Sequence, residues 1–359
     1  MDTSAAMPSL TGGPQERFAQ YLTHMARGDN GSALYTTILR AAADDVRAGG
    51  RVWDLLADRA ERNLWDDAPA IRLLGAVHHL VLAGRAPELD RFYPSAGGTT
   101  GPERVWPALA EVLEREAEAT RALIPRPIQT NEVGRCAALI GGFLEAARPG
   151  LPLRVLEIGS SAGFNLRWDH YRYEARGRSW GPDSPVRLCS YNTQRIPSFD
   201  VTATVVERRG CDQHPVDPTT EEDRLMLTSF VWPDQIHRHR LLKAALEVAE
   251  RVPVEIDRAN AAEWLPDQLA ELPKGTMTVV FHSMTMQYLT LEERDAVRSA
   301  IGSAGERATR EAPLAWLRME PGGRWAHVDL TMWPGGIGRR LARSGYHGDP
   351  VEWLSAGGS

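Results

Sequence analysis

The sequence holds little that would cross-link the chain, anchor it or draw it to a polyanion. Three cysteines, Cys136, Cys189 and Cys211, are an odd number at wide spacing. They fit neither a disulfide framework nor a C-x-x-C metal site, so three reduced thiols are expected. No metal site is expected from the histidines: His237 and His239, two apart on a predicted helix, point to different faces. Asp212 with His214 supplies too few ligands. The apolar runs at 73–84 and 136–144 fall short of the roughly 20 residues that span a bilayer. With no export signal legible, the expected location is cytoplasmic and no membrane partner is expected. A net charge of −6 leaves no electrostatic footprint for nucleic acid. The remainder, 43% hydrophobic and 25% charged over 359 residues, is enough for one large domain or two ordinary ones.

Along the chain, residues 1–13 are rich in Ser, Thr, Gly and Pro and are expected to be disordered. Residues 14–149 read as a helical cap domain. Pro69 to Gly84 is apolar on nearly all faces, as a buried helix would be, and its His78 and His79 read as packed residues. Pro102 to Leu123 has a helical apolar stripe opposite a charged face. Thr130 to Arg148 reads as a helix capped by Thr130 or Asn131. The Trp232 to Arg240 segment reads either as a substrate lid or as a Pro-initiated helix with a packed tryptophan.

From residue 150 to 359 strands alternate with helices: strands at 153–158, 201–206, 254–256, 276–281 and 313–319, with further strand candidates at 186–189, 328–332 and 351–354. Ile337 to Ser344 reads as a short helix. That alternation predicts an α/β fold with a parallel sheet and helices on both faces.

The segment that carries chemistry is LRVLEIGSSAGFNL, Leu153 to Leu166. A buried strand ends in the small-residue turn Gly159, Ser160, Ser161, Ala162, Gly163, after which a helix is expected from Phe164. Small residues let a ligand approach a backbone, and a helix N-terminus offers unpaired N–H groups. Glu157 sits just inside the turn. The string resembles the first nucleotide-binding motif of class I S-adenosylmethionine-dependent methyltransferases, with Ser161 where the middle glycine is usual. The strings TNEVGRC (130–136), WPDQ (232–235), FHSM (281–284) and YHGD (346–349) further resemble an uncharacterised bacterial family of methyltransferase-like proteins with a helical N-terminal extension.

The resemblance implies a Rossmann-like class I methyltransferase sheet behind an all-α N-terminal region, S-adenosylmethionine as cofactor and a small-molecule acceptor. It implies that Glu157 receives the methionine ammonium and that Gly159, Ser160, Ser161, Gly163 and Asn165 form the cradle. Asp212, after the second strand, would hold the ribose, although it lies well beyond the roughly 20 residues usual after the glycines. Asn260 and Ala261 stand where the adenine is contacted. His282, at the end of a buried strand, is the candidate general base, with Glu320 and Tyr288 as further pocket residues; a satisfied buried histidine is the alternative for His282. No N/D-P-P-Y string follows the fourth strand, which removes the usual signature of base or amide N-methylation. Besides a non-enzymatic binding or scaffold protein using the helical region, two enzymatic rivals stand beside methyl transfer. One is the same fold performing another displacement, such as intramolecular ring closure, with or without the cofactor. The other is a serine hydrolase, because Gly159 to Gly163 also satisfies G-x-S-x-G, with His347 and Asp329 in the permitted order.

Overall fold

A computed structural model of the chain describes residues 8–27, 31–129, 131–189 and 195–354. They form two compact units, one of the described residues within 8–129 together with 220–240, the other of those within 131–219 together with 241–354. The first is helical. Pro14–Met25, Ala33–Arg47, Pro69–Leu82 and Val105–Arg115 bury one apolar core that includes Phe18, Leu22, Ile38, Leu39, Leu80 and Leu109. Of the expected disordered leader, residues 1–7 lie outside the described residues. Thr11 exchanges two hydrogen bonds with Gln20 at 3.0 and 3.1 Å, which ties the leader's end to the first helix. The helix expected over 102–123 is interrupted: a 3-10 turn at Pro102–Arg104 precedes Val105–Arg115, and a break at Glu116 separates Ala117–Leu123.

The second unit is α/β, built on a large, mostly parallel sheet. Its strands are β1 (Leu153–Ile158), β5 (Val205–Asp212), β6 (Glu255–Arg258), β7 (Met277–Ser283), β8 (Leu314–Gly322), β9 (Trp325–Trp333), β10 (Ile337–Ser344) and β11 (Val351–Trp353). The order across the sheet is β11-β10-β9-β8-β7-β1-β5-β6. Pairing is parallel from β6 to β8 and antiparallel from β8 to β11. A smaller sheet, β3-β2-β4, is made from β2 (Arg172–Ala175), β3 (Arg178–Trp180) and β4 (Arg187–Leu188). β7 is buried along its whole length, as a strand covered on both faces must be. On one face Glu157, Phe281 and Leu317 stand in register, and helix Cys136–Ala147 packs there, with Phe143 at 5.0 Å from Phe281. On the other, Leu156 and Val280 join Val297 and Ile301 of helix Leu291–Arg307.

Three expectations need correction. Ile337–Ser344 is a strand, not a helix, because its residues pair antiparallel with β9 and its middle, Leu341 and Ala342, is buried. The second strand of the sheet is Val205–Asp212 rather than 201–206, since the ladder with β1 begins at Leu153 and Val205. The element after the motif is a six-residue 3-10 helix, Asn165–His170, so no α-helix N-terminus follows the turn. The units divide at 130/131, within the 125–150 stretch where the sequence places the boundary. Helix Cys136–Ala147 packs on the sheet, and residues 220–240 return to the helical unit.

Close packing of that helix depends on glycine. A Cβ on Gly141 would lie 2.0 Å from the Trp353 ring, whereas one on Gly302, in helix Leu291–Arg307, meets nothing within 4 Å. Alanine improves helix propensity by about 1 kcal/mol at either site, but overpacking costs about 1–3 kcal/mol. Gly302→Ala is therefore expected to raise the denaturant midpoint and Gly141→Ala to lower it. Equal shifts of one sign would contradict this packing.

Candidate active site at the carboxyl edge of the sheet

β1 is the point where the strand order reverses, with β5 to one side and β7 to the other, and ligands of open α/β sheets bind outside the carboxyl ends of such strands. The turn leaving β1 there is tightly determined. Gly159, Ser161 and Gly163 all have positive φ, of 72°, 52° and 67°. Left-handed backbone is easy for glycine and strained for Ser161. Gly159 and Ser160 donate their N–H groups to Cys211 O, Gly163 N–H donates to Ser160 O, and the Ser160 hydroxyl donates to Glu157 O. The Ser161 N–H donates to Asp212 at 2.8 Å, and the other oxygen of that carboxylate accepts from His214 N–H at 2.8 Å.

The missing Cβ atoms of the two glycines make room for the protein itself. A Cβ on Gly159 would lie 2.6 Å from the Thr285 side chain, and one on Gly163 would lie 2.9 Å from Ile256 and Val254. The expectation that these glycines leave bare backbone for a ligand is corrected accordingly: Thr285 covers Gly159 in this structure.

Glu157 is the outlying group of the site. It is 2% exposed, and its Oε2 has no hydrogen-bond partner in the structure. Burial pushes its pKa well above the usual carboxylate range. A hydrogen bond from Asn165 and the guanidinium groups of Arg135 and Arg167 oppose that rise, and Asp212 adds to it. Asn165 is itself buried and accepts from the Cys136 thiol at 3.1 Å.

His282 does not have the geometry of a general base. It is fully buried; its Nδ1 lies 2.6 Å from Glu320 Oε1, and its Nε2 accepts from the Trp316 indole at 3.0 Å. With Nε2 accepting, the proton sits on Nδ1, and both ring nitrogens are committed. The same Glu320 oxygen accepts from Thr285 and Met286 N–H at 3.0 and 3.2 Å. This carboxylate therefore fixes the loop after β7, and its Oε2 is buried without a partner. Tyr288, in that loop, is 76% exposed. Asn260 caps helix Ala261–Gln268 through Ala262 N–H and donates to Glu293, and Ala261 is buried in the first turn of that helix. Among the described residues no group of three or more His, Cys, Asp or Glu could hold a metal ion, and no helix is long and apolar enough to cross a membrane.

Other named residues lie apart from this edge or in different pairs. Asp329 binds Arg340 at 3.0 Å, and His347 pairs with Glu132 at 3.3 Å, so the two do not assemble as partners of Ser161. In the helical unit His78 is fully buried between Ser229 O and the Ser95 hydroxyl, and burial drives its pKa down to about 3. Trp232 packs on Tyr35 with ring centroids 5.4 Å apart.

The strings at 281–284 and 346–349 meet on the segment 131–135, whose Asn131 reaches the turn, a role that no local pattern revealed. Thr130 lies outside the described residues. Asn131 does not cap the following helix; it clasps the turn, donating to Ser160 O at 2.8 Å and accepting from Phe164 N–H at 3.2 Å. Arg135 donates to Ser283 O at the end of β7 and to Tyr346 O. Gly134 and Gly348 interlock: a Cβ on Gly348 would lie 2.0 Å from Gly134 O, and one on Gly134 would lie 2.4 Å from His347 O. These contacts could be found in sequence only as co-occurring strings, because their partners are as many as 211 residues apart.

Neither a curated protein nor a solved structure matches the chain. The family model described as "Uncharacterized protein conserved in bacteria (DUF2332)" matches residues 16–353, nearly the whole sequence, and the chain belongs to that family.

Proposed function

We propose that the protein binds S-adenosylmethionine at the carboxyl edge of β1 and transfers its methyl group to a small-molecule acceptor. The observation that carries this reading is the buried Glu157 carboxyl with its unpartnered Oε2, at the strand where the sheet order reverses. A buried polar atom without a partner costs about 1–3 kcal/mol, and an ammonium group is the partner that best offsets it. The five parallel strands, numbered in chain order, lie as 3-2-1-4-5, five of the six positions of the doubly wound nucleotide-binding order 3-2-1-4-5-6, which supports a Rossmann-like reading. The antiparallel β8 to β11 meander departs from the all-parallel continuation.

In this reading Glu157 holds the ammonium, and Asp212 retains lone pairs for a ribose hydroxyl beyond the two N–H groups it already accepts. Asn260 keeps to its helix cap. The bound cofactor supplies an electrophilic methyl group. The chain's own contribution is to orient the acceptor and exclude water, which lowers the barrier by positioning. Opening the Gly159 side requires the Thr285 loop, anchored by Glu320, to shift.

A second reading, a serine hydrolase using Ser161, is favoured by one observation. The left-handed φ of 52° is the strained backbone that a nucleophile elbow uses. A fluorophosphonate probe separates the two: the transferase reading expects no labelling, whereas labelling of wild type that Ser161→Ala abolishes would establish the hydrolase.

Burial of Glu157 also fixes a pH dependence. Its folded pKa lies above the ordinary 4.5, so the stability it contributes is present below pH 4.5 and is lost as pH rises through the folded value. Glu157→Gln is thus expected to be more stable than wild type at neutral pH, with the two curves converging in acid. Ligand binding has the opposite sign. Affinity for S-adenosylmethionine should rise with pH until free Glu157 is ionised and then level off, with proton release visible by calorimetry in buffers of different ionisation enthalpy. Glu157→Gln should weaken binding by about 10- to 100-fold, the loss of one charge-assisted hydrogen bond. A pH-independent affinity would contradict the assignment of Glu157.

A further inference from the structure

The WPDQ string at 232–235 belongs to the helical unit, and its aspartate stands near two buried phenols. Tyr35, in helix Ala33–Arg47, and Tyr93, at the head of the 3-10 turn Pro94–Ala96, are 1% and 0% exposed, and neither hydroxyl has a hydrogen-bond partner. Asp234 Oδ1 is likewise buried without a partner. The three groups lie within electrostatic reach of one another. Burial raises the pKa of both phenols, the charge of Asp234 adds to both, and Tyr93 adds to that of Tyr35. A phenol donating to a carboxylate makes a strong, charge-assisted bond, yet neither hydroxyl bonds to Asp234 Oδ1. Each such buried polar atom left unpartnered costs about 1–3 kcal/mol.

The surroundings are aromatic and carry no positive charge of their own from histidine. Trp232 packs on Tyr35, and His78 lies 5.6 Å from Tyr93 and 5.7 Å from His239, ring centroid to centroid. His78 Nδ1 donates to Ser229 O at 3.0 Å, which leaves Nε2 to accept from the Ser95 hydroxyl at 2.8 Å. Both its nitrogens are thus committed in the neutral ring. His239 Nε2 donates to Trp232 O at 3.1 Å, and burial, helped by the charge of Arg238, lowers its pKa below 6.5 against the pull of Asp234. Both imidazoles are therefore neutral at pH 7. Trp232 and Asp234 are half-buried, so the cluster meets the surface along the 232–235 segment.

We propose that Tyr35, Tyr93 and Asp234 form a binding site for a small primary alkylammonium ion. The three N–H donors of such an ion match the three oxygens that lack partners. Its bond to Asp234 is charge-assisted, and the faces of Tyr35 and Trp232 attract the cation and cover its short alkyl group. A neutral alcohol of the same size offers one donor and no charge, so charge is the feature on which the site discriminates. The site lies within the helical unit and is separate from the cofactor reading of the sheet edge.

The test is calorimetry of the whole protein with ethylammonium chloride, with n-propanol as the neutral control and potassium chloride at equal ionic strength as the metal-ion control. Wild type is expected to bind ethylammonium saturably at millimolar concentration, about 10-fold more weakly in Asp234→Asn and several-fold more weakly in Tyr35→Phe and Tyr93→Phe. The two phenylalanine variants keep the ring packing and lose only a hydroxyl without a partner. Without amine they are therefore expected to unfold at or above the wild-type thermal midpoint. No saturable heat from ethylammonium in wild type overturns the site. If both phenylalanine variants then also melt below wild type, the hydroxyls bond internal water only. Saturable binding of n-propanol or potassium as tight as that of ethylammonium overturns the ammonium assignment. Amine binding unchanged in all three variants places the amine elsewhere and overturns the site as well.

Discussion

The burial of one carboxyl group constrains the rest of the sheet unit. Glu157 is the penultimate residue of β1 and faces helix Cys136–Ala147 rather than water. Keeping it there requires Asn165 beneath it, and Asn165 in turn engages the Cys136 thiol of that helix. It also requires a chain reversal within five residues, which the left-handed backbone of Gly159, Ser161 and Gly163 provides. Among the described residues Oε2 has no hydrogen-bond partner. A chain selected for stability alone would place an apolar residue or a glutamine there, so the buried carboxyl with an unpartnered oxygen is the feature on which the proposal of a ligand at this edge stands.

Around that carboxyl the structure separates two roles that sequence cannot distinguish. His282 and Glu320 stand at strand ends, where catalytic groups of such folds occur, yet their hydrogen bonds are directed into the protein. They form a structural relay: the indole of Trp316 sets the imidazole, and the imidazole and two backbone N–H groups share one glutamate oxygen. The loop so fixed carries Thr285 over Gly159. Glu132 and His347 differ from that pair in burial, a buried carboxyl 3.3 Å from a half-exposed ring. Burial and the direction of hydrogen bonds distinguish the two pairs, and both are tertiary quantities.

Much of the fold was legible because it rests on local pattern. The apolar run at 276–281 could only be a buried strand, and the alternation from residue 153 onward implied a parallel sheet. The exceptions have physical reasons. Ile337–Ser344 has few apolar residues and becomes a strand by pairing with β9, a neighbour's preference overriding its own. The 201–206 segment has better β-branching than 207–212, but register with β1 selects the latter. Of the site, Glu157 and its turn were readable as a strand–turn motif. The clasp by Asn131 and the pairing of Glu132 with His347 were not, since the contacting residues are far apart in the chain and neither segment has a periodicity of its own.

The central claim is that the Glu157 carboxyl is neutral in the free protein and becomes the counterion of a bound ammonium. Infrared difference spectroscopy of the protein with and without S-adenosylhomocysteine reads this directly at neutral pH. The account predicts that binding removes a protonated-carboxyl C=O band and adds a carboxylate band, both absent from Glu157→Gln. Binding that leaves the carboxyl region unchanged in wild type, or an identical difference spectrum in Glu157→Gln, would contradict it.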